Sequence, residues 1–230
     1  HGALISELDR EWAEKMHEQR VRPYSQYLLV KEGKPYWRLA ALTEEAFCHI
    51  LQPMMRKDSL CLAQKGYEVG LGKFSILKKD SFQGLEERFW TGTDKVHHID
   101  LEFLTSASFK RNGEYKIFPE LPLVFNNLIR KWNVYSDSMI LGEERLGDKL
   151  AESMCITDYR LHTHPFSVEG RRIRAFRGNI RLGLFKDDIT RRMASMLAAF
   201  ADYAGIGIKT AMGMGAVESD ISYYQKKERL

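Results

Sequence analysis

The order of periodicities in the second half of the chain is the tightest constraint on its fold. After "FKRNGEYKIFPE" comes a helix-period run, "LPLVFNNLIRKW", with Pro122 in its first turn, where proline is tolerated. Two long strand-like runs follow at about 155–167 and 172–185, joined at "GRR". Then "DITRRMASMLAAFADYA" places Ile189, Met193, Leu197 and Phe200 on one helical face, and a strand near 214–223 closes the series. This half reads strand–helix–strand–strand–helix–strand, the split βαβ or ferredoxin-like unit.

The first half has the same grammar less one strand. Residues 3–17 put Leu4, Ile5, Leu8 and Trp12 on one helical face. At about 100° per residue, His17 falls roughly 140° from Trp12, off that stripe. "YSQYLLV" and "YWRLAAL" flank a polar turn, and Thr43 caps a helix running to about Arg56. Strands are expected at 59–64, 67–78 and 96–105, with an amphipathic piece at 82–90. The expected fold class is therefore α+β, two tandem ferredoxin-like (βαββαβ) domains. The N-terminal one spans 1–105 and lacks its first strand; the C-terminal one spans 106–230.

Composition narrows the function classes. The chain has 230 residues and 44% hydrophobic content, with no apolar run near the ~20 residues of a membrane helix. Net charge is +4. Cys48, Cys61 and Cys155 are scattered, without the CxxC spacing of a zinc site or a disulfide framework. That usage fits a reducing, cytoplasmic setting.

Two stretches carry chemistry. "GIGIKTAMGMGAVE" holds Gly205, Gly207, Gly213 and Gly215 around Lys209. It ends a helix and opens a strand, the reverse of a dinucleotide-binding fingerprint, and it lacks the GK[ST] of a P-loop. Two readings remain: a cradle of backbone N–H groups for an anion, or a tight helix-to-strand connection that needs positive φ. The second stretch, 160–181, has six arginines against one glutamate. Arg171, Arg172, Arg174 and Arg177 interleave with apolar residues there. On strands that pattern is an electrostatic track for a phosphate backbone or a solvated face. The RRM aromatic signature is absent, so base stacking on the sheet is not expected.

"AGIGIKTAMGMGAVE" resembles the glycine-rich signature of the CRISPR-associated endoribonucleases that process repeat RNA, within the repeat-associated RNA-binding (RAMP) superfamily. "HGALISEL", "FKRNGEYKIFPE" and "IRAFRGNIRL" match the same family in order along the chain. The resemblance implies tandem ferredoxin-like domains and cleavage of precursor CRISPR RNA within repeats. It implies no metal or cofactor, and 2′,3′-cyclic phosphate and 5′-hydroxyl ends. By the same resemblance His17 is the leading catalytic residue. His1 stands where a second group is often found. Arg22, before Pro23, stands near a position that some members fill with lysine, and Tyr24 is a neighbouring candidate. The glycine loop, Lys209 and the four arginines would hold RNA. Implied partners are precursor CRISPR RNA, a CRISPR effector complex and a second copy of the chain, with no membrane. The rival reading is a non-catalytic repeat-RNA-binding subunit of an effector complex. His97 and His98 are expected on opposite strand faces, and His162 and His164 on one face without a third metal ligand.

Overall fold

The computed structural model describes residues 1–62, 66–168 and 170–224. The N-terminal half begins with α1 (Gly2–Ile5) and α2 (Arg10–Glu18). The single helix expected over 3–17 is broken because Asp9 caps α2, its carboxylate accepting from Trp12 N at 2.8 Å. A hairpin follows, β1 (Tyr24–Lys31) and β2 (Lys34–Ala41). Its two-residue turn has positive φ at both Glu32 (52°) and Gly33 (75°), which suits the right-handed twist of the strands. Thr43 caps the next helical segment as expected. That segment runs through α3 (Glu44–Ala46), a π-helical turn (Phe47–Leu51) and α4 (Gln52–Met54).

Strands β3 (Ser59–Leu62) and β4 (Tyr67–Gly70) form a second hairpin. The last two residues of the strand expected at 59–64 lie outside the described residues. The strand expected over 67–78 stops at Gly70. Leu71 N still donates to Asp58 O at 2.7 Å, but residues 71–81 join no strand ladder among the described residues. β2 likewise pairs only with β1 among the described residues. Helix α5 (Phe82–Thr91), capped by Ser81, completes this half.

The C-terminal unit is built on β5 (Val96–Ala107). The boundary expected near 105 falls inside this strand. "FKRNGEYKIF" does not supply the first strand of the sheet. It folds back as the small hairpin β6 (Phe109–Arg111) and β7 (Glu114–Lys116), because Asn112 (φ 52°) and Gly113 (φ 84°) make a tight turn. Then come α6 (Leu121–Tyr135), α7 (Leu146–Ala151), β8 (Met154–Thr163), β9 (Phe166–Val168), β10 (Arg171–Ile173), β11 (Phe176–Leu184), α8 (Asp188–Ala204) and β12 (Val217–Tyr223). The turn expected at 170–172 lies earlier, since Arg171 and Arg172 are already in β10.

The sheet runs β12-β5-β11-β8, antiparallel throughout, which is the ferredoxin-like order. Ile99, Leu101 and Phe103 of β5 and Ile180 and Leu182 of β11 point to one side, where α6 and α8 cover them. Small residues of α8 (Ala194, Ala198, Ala201) let its backbone lie close to the sheet. Ile189, assigned to the core face of α8, is 61% exposed at the first turn of that helix.

The two halves are joined by polar contacts. Gln26 Nε2 donates to Ala211 O at 2.6 Å, and Trp37 Nε1 donates to Gln26 Oε1 at 2.9 Å. Arg38 pairs with Glu218 at 2.9 Å, and Tyr135 donates to Val21 O. The centre of the larger core is Trp132, fully buried and edge-on to Phe82 and Phe200. Trp132→Ala is expected to cost about 3–5 kcal/mol in urea unfolding, through the cavity and the lost aromatic contacts.

Candidate nucleic-acid interface

The glycine loop is sewn into the protein. Gly205 (φ 64°) ends α8 and donates to Ala201 O at 2.8 Å. Ile206 N then donates to Gly215 O, Gly207 N to Asn127 Oδ1, Ile208 N to Ser108 O and Gly215 N to Ser106 O, all at 2.8–3.0 Å. Of the two readings the sequence left open, the geometry here is that of a tight connection, with these N–H groups committed inside the chain. The reason is close backbone packing. A Cβ on Gly207 (φ 94°) would lie 2.4 Å from Ser108 O, and one on Gly215 (φ 64°) 1.9 Å from Ile206 O. Gly213 is different, meeting only the Phe166 ring, at 3.7 Å. In the turn from Lys209 to Gly213, Lys209, Met212 and Gly213 are partly exposed, while Thr210 and Ala211 are buried. Lys209 takes a left-handed conformation (φ 55°), and its Nζ meets Met212 Sδ at 3.5 Å. Among the described residues it has no carboxylate partner.

The basic hairpin lies on this loop. Ile173, Ala175 and Met214 form a small buried cluster, with Phe166, Val168 and Ile208 packed against it. Arg171, Arg172 and Arg174 are exposed, and Arg177 is half-buried opposite His162. Among the described residues neither these four nor Arg160 has a carboxylate partner; Glu169 lies outside them. Arg181 does have one, the two oxygens of Asp100 at 2.8 and 2.9 Å. His162 and His164 are exposed with ring centroids 6.2 Å apart, and His164 Nδ1 lies 2.7 Å from Ser106 Oγ.

The open face of the sheet has the opposite charge. The strand registers place Asp220, Asp100, Arg181 and Asp158 in one row and Glu218, Glu102, Asn179 and Arg160 in the next. Five carboxylates on this face oppose a polyanion, so the favourable electrostatic track is the hairpin and loop.

At the other end of the chain, His1 precedes α1 and His17 lies on the separate helix α2. The His1 ring has Nδ1 3.2 Å from Tyr24 Oη and Nε2 3.5 Å from Arg22 Nη1. Arginine only donates, so Nε2 must accept, and the proton then sits on Nδ1 facing the tyrosine oxygen. The Arg22 contact is long and correspondingly weak. Burial raises the Tyr24 pKa, with Arg22 opposing, so the phenol keeps its proton at neutral pH. The structure therefore brings His1, Arg22 and Tyr24 together. His17 lies in the last turn of α2, exposed, and no hydrogen bond or ring contact links it to them.

Elsewhere, His97 and His98 are not apart: their Nδ1 atoms are 2.8 Å from one another, beside a register shift between β5 and β12. His49 stacks on Trp12 and contacts Asp9. Among the described residues no group of three or more His, Cys, Asp or Glu side chains is placed to hold a metal ion, and no helix is long and apolar enough to cross a membrane. Sequence reasoning missed Asn127 and Lys131 of α6, which touch the glycine loop from inside. The available signal was a lysine seven residues after Val124, in register with the buried face of the helix.

With this geometry in view, the chain was compared with known proteins. The model of the family described as CRISPR-associated endoribonuclease Cas6 matches residues 101–217, half of the chain. The chain belongs to the Cas6 family. The matched span begins within β5 and runs through α6, β8, β11 and α8, taking in the basic hairpin and the glycine loop. The CRISPR-associated endoribonuclease Cas6 of Streptococcus thermophilus is 28% identical over 218 residues, covering 95% of this chain and 88% of its own length. That of Mycobacterium tuberculosis is 29% identical over 228 residues, covering 94% and 69%. A solved Cas6 product complex has the same fold, with a TM-score of 0.78 at 21% identity, covering 94% of this chain and 90% of the other.

The glycines of the loop should rank by what they touch. Gly215→Ala combines a left-handed backbone with a carbonyl clash and is expected to cost more than about 3 kcal/mol. Gly213→Ala meets only strain and should cost about 1–2 kcal/mol. Chemical denaturation of the two variants checks the ranking.

Proposed function

We propose that this chain binds repeat RNA along the arginine hairpin and the Lys209 turn, and cuts precursor CRISPR RNA within each repeat without a metal ion. Support for the binding path comes from one observation above all. Among the described residues Arg171, Arg172, Arg174 and Lys209 lack carboxylate partners on a hairpin and loop that pack against one another, while the adjoining sheet face is acidic. A row of cations unpaired within the described residues is a surface suited to a phosphate backbone. Membership in the Cas6 family supports the endoribonuclease reading.

The proposed chemistry is transesterification. His17 takes the proton of the 2′-hydroxyl; the 2′-oxygen attacks phosphorus, and the bond to the 5′-oxygen breaks. The products are a 2′,3′-cyclic phosphate and a 5′-hydroxyl, the leaving oxygen having gained a proton. Histidine suits that transfer because its pKa lies near neutrality. An exposed His17 without a partner among the described residues is free to meet RNA. Arg22 would face the charge that builds on phosphorus, a role that suits a guanidinium better than proton transfer does. Tyr24 holds a phenolic proton beside it, and His1 Nδ1–H orients that phenol.

Cleavage of labelled repeat RNA is expected to persist in EDTA and to stop when the cut-site sugar is 2′-deoxy. Dependence on added metal, or cleavage of the deoxy substrate, contradicts this chemistry. His17→Ala should lower the rate by about 10²–10⁴ while leaving affinity nearly unchanged. Wild type that binds repeat RNA and never cuts it would support a non-catalytic binding subunit instead. For the binding surface, replacing Arg171, Arg172 and Arg174 together by alanine should reduce the slope of log Kd against log salt by about 2–3. An unchanged slope would place the RNA elsewhere.

A further inference from the structure

Helix α6 turns two polar side chains toward the glycine loop, Asn127 and Lys131. Being four residues apart, they stand one turn above the other on the same face. Asn127 Oδ1 accepts from Gly207 N at 2.9 Å, and its Nδ2 donates to Gly207 O at 3.4 Å. Lys131 Nζ donates to Ala204 O and Gly205 O, both at 2.9 Å, and reaches Thr210 Oγ1 at 3.4 Å.

Lys131 is only 5% exposed, and lysine is rarely so buried. Burial drives its pKa down to about 7, so the site costs the fold something. An apolar residue would avoid that cost but would leave the last carbonyls of α8 facing hydrocarbon. Those carbonyls form the negative end of a 17-residue helix, where a buried donor is favoured. The loop's far side is held separately, by Gln26 of β1 on Ala211 O.

We propose that Asn127 and Lys131 are positioning residues for RNA binding. From inside the protein they fix the peptide planes of Gly205 and Gly207, and so set how Lys209 and the overlying arginine hairpin face the RNA backbone. The inference rests on the RNA-binding reading given above. Neither side chain touches RNA. Both lie in the C-terminal unit, away from His17 in sequence and element, so their loss weakens binding and leaves the chemical step alone.

The test uses the full chain with two variants, Lys131→Met and the nearly isosteric Asn127→Asp, which keeps the acceptor for Gly207 N and loses the donor. Single-turnover cleavage of a repeat-RNA oligonucleotide gives the half-saturating protein concentration and the saturating rate. Amide hydrogen exchange without RNA reads the loop directly. The half-saturation value should rise at least about tenfold for Lys131→Met and about threefold for Asn127→Asp, with saturating rates within about twofold of wild type. Exchange should quicken at Ile206, Gly207 and Gly215 while the β5–β11 ladder keeps its protection. Unchanged half-saturation, a saturating rate that falls in parallel, or exchange that quickens across the whole sheet would overturn the inference. If Lys131→Met does not fold, Asn127→Asp alone decides. Wild type that neither binds nor cuts the RNA would sink the functional reading, and the exchange measurement would still decide whether the two side chains hold the loop.

Discussion

The proposed binding surface depends on a close backbone crossing. Where α8 ends, the chain crosses itself: Ile206 and Gly215 meet back to back, and Gly207 lies against Ser108. No side chain fits in either gap. That crossing locks the end of β5 to the end of α8; in the turn that follows, Lys209, Met212 and Gly213 are partly exposed while Thr210 and Ala211 are buried. The arginine hairpin then rests on this turn through Met214, Ile173 and Phe166. Removing the crossing would leave the same cations on an unsupported loop. Holding it presents them as one surface, with the ordering cost met at folding and not at binding.

Charge completes the arrangement. The sheet that carries the hairpin has carboxylates on its open face, with Arg181 tied to Asp100. A ferredoxin-like sheet could otherwise offer that face to a nucleic acid. Here the acids make it unfavourable, and the two surfaces together give a polyanion one direction of approach. The N-terminal half adds a different kind of site. His1, Arg22 and Tyr24 form a small polar group, and His17 stands exposed at the end of α2.

Much of the C-terminal unit was legible in the sequence because its elements are long and strongly periodic. The helix at Asp188–Ala204 appears nearly where periodicity puts it, and the strands expected at 155–167 and 172–185 are each split in two, at 164–165 and at 174–175. Reading failed where a local signal outranked periodicity. Asp9 stops a helix that the apolar stripe would continue, and Asn112-Gly113 folds a presumed sheet strand into a small hairpin. It failed again where a strand's existence depends on a distant partner, as at 71–81. The glycine loop was recognisable as a motif, with an anion cradle and a tight connection both left open by the sequence. Its glycines admit neighbouring backbone, which no sequence pattern distinguishes from exposed N–H groups. The cations of the hairpin were readable by composition; their lack of partners required the fold.

The central claim is that RNA follows the hairpin and the Lys209 turn and avoids the open sheet face. Photo-crosslinking of repeat RNA carrying 4-thiouridine, with the attachment sites mapped by mass spectrometry, tests it most directly. Crosslinks should gather at 166–174 and 208–214. Crosslinks gathered instead on the face bearing Glu102, Asp158 and Asp220 would contradict the account.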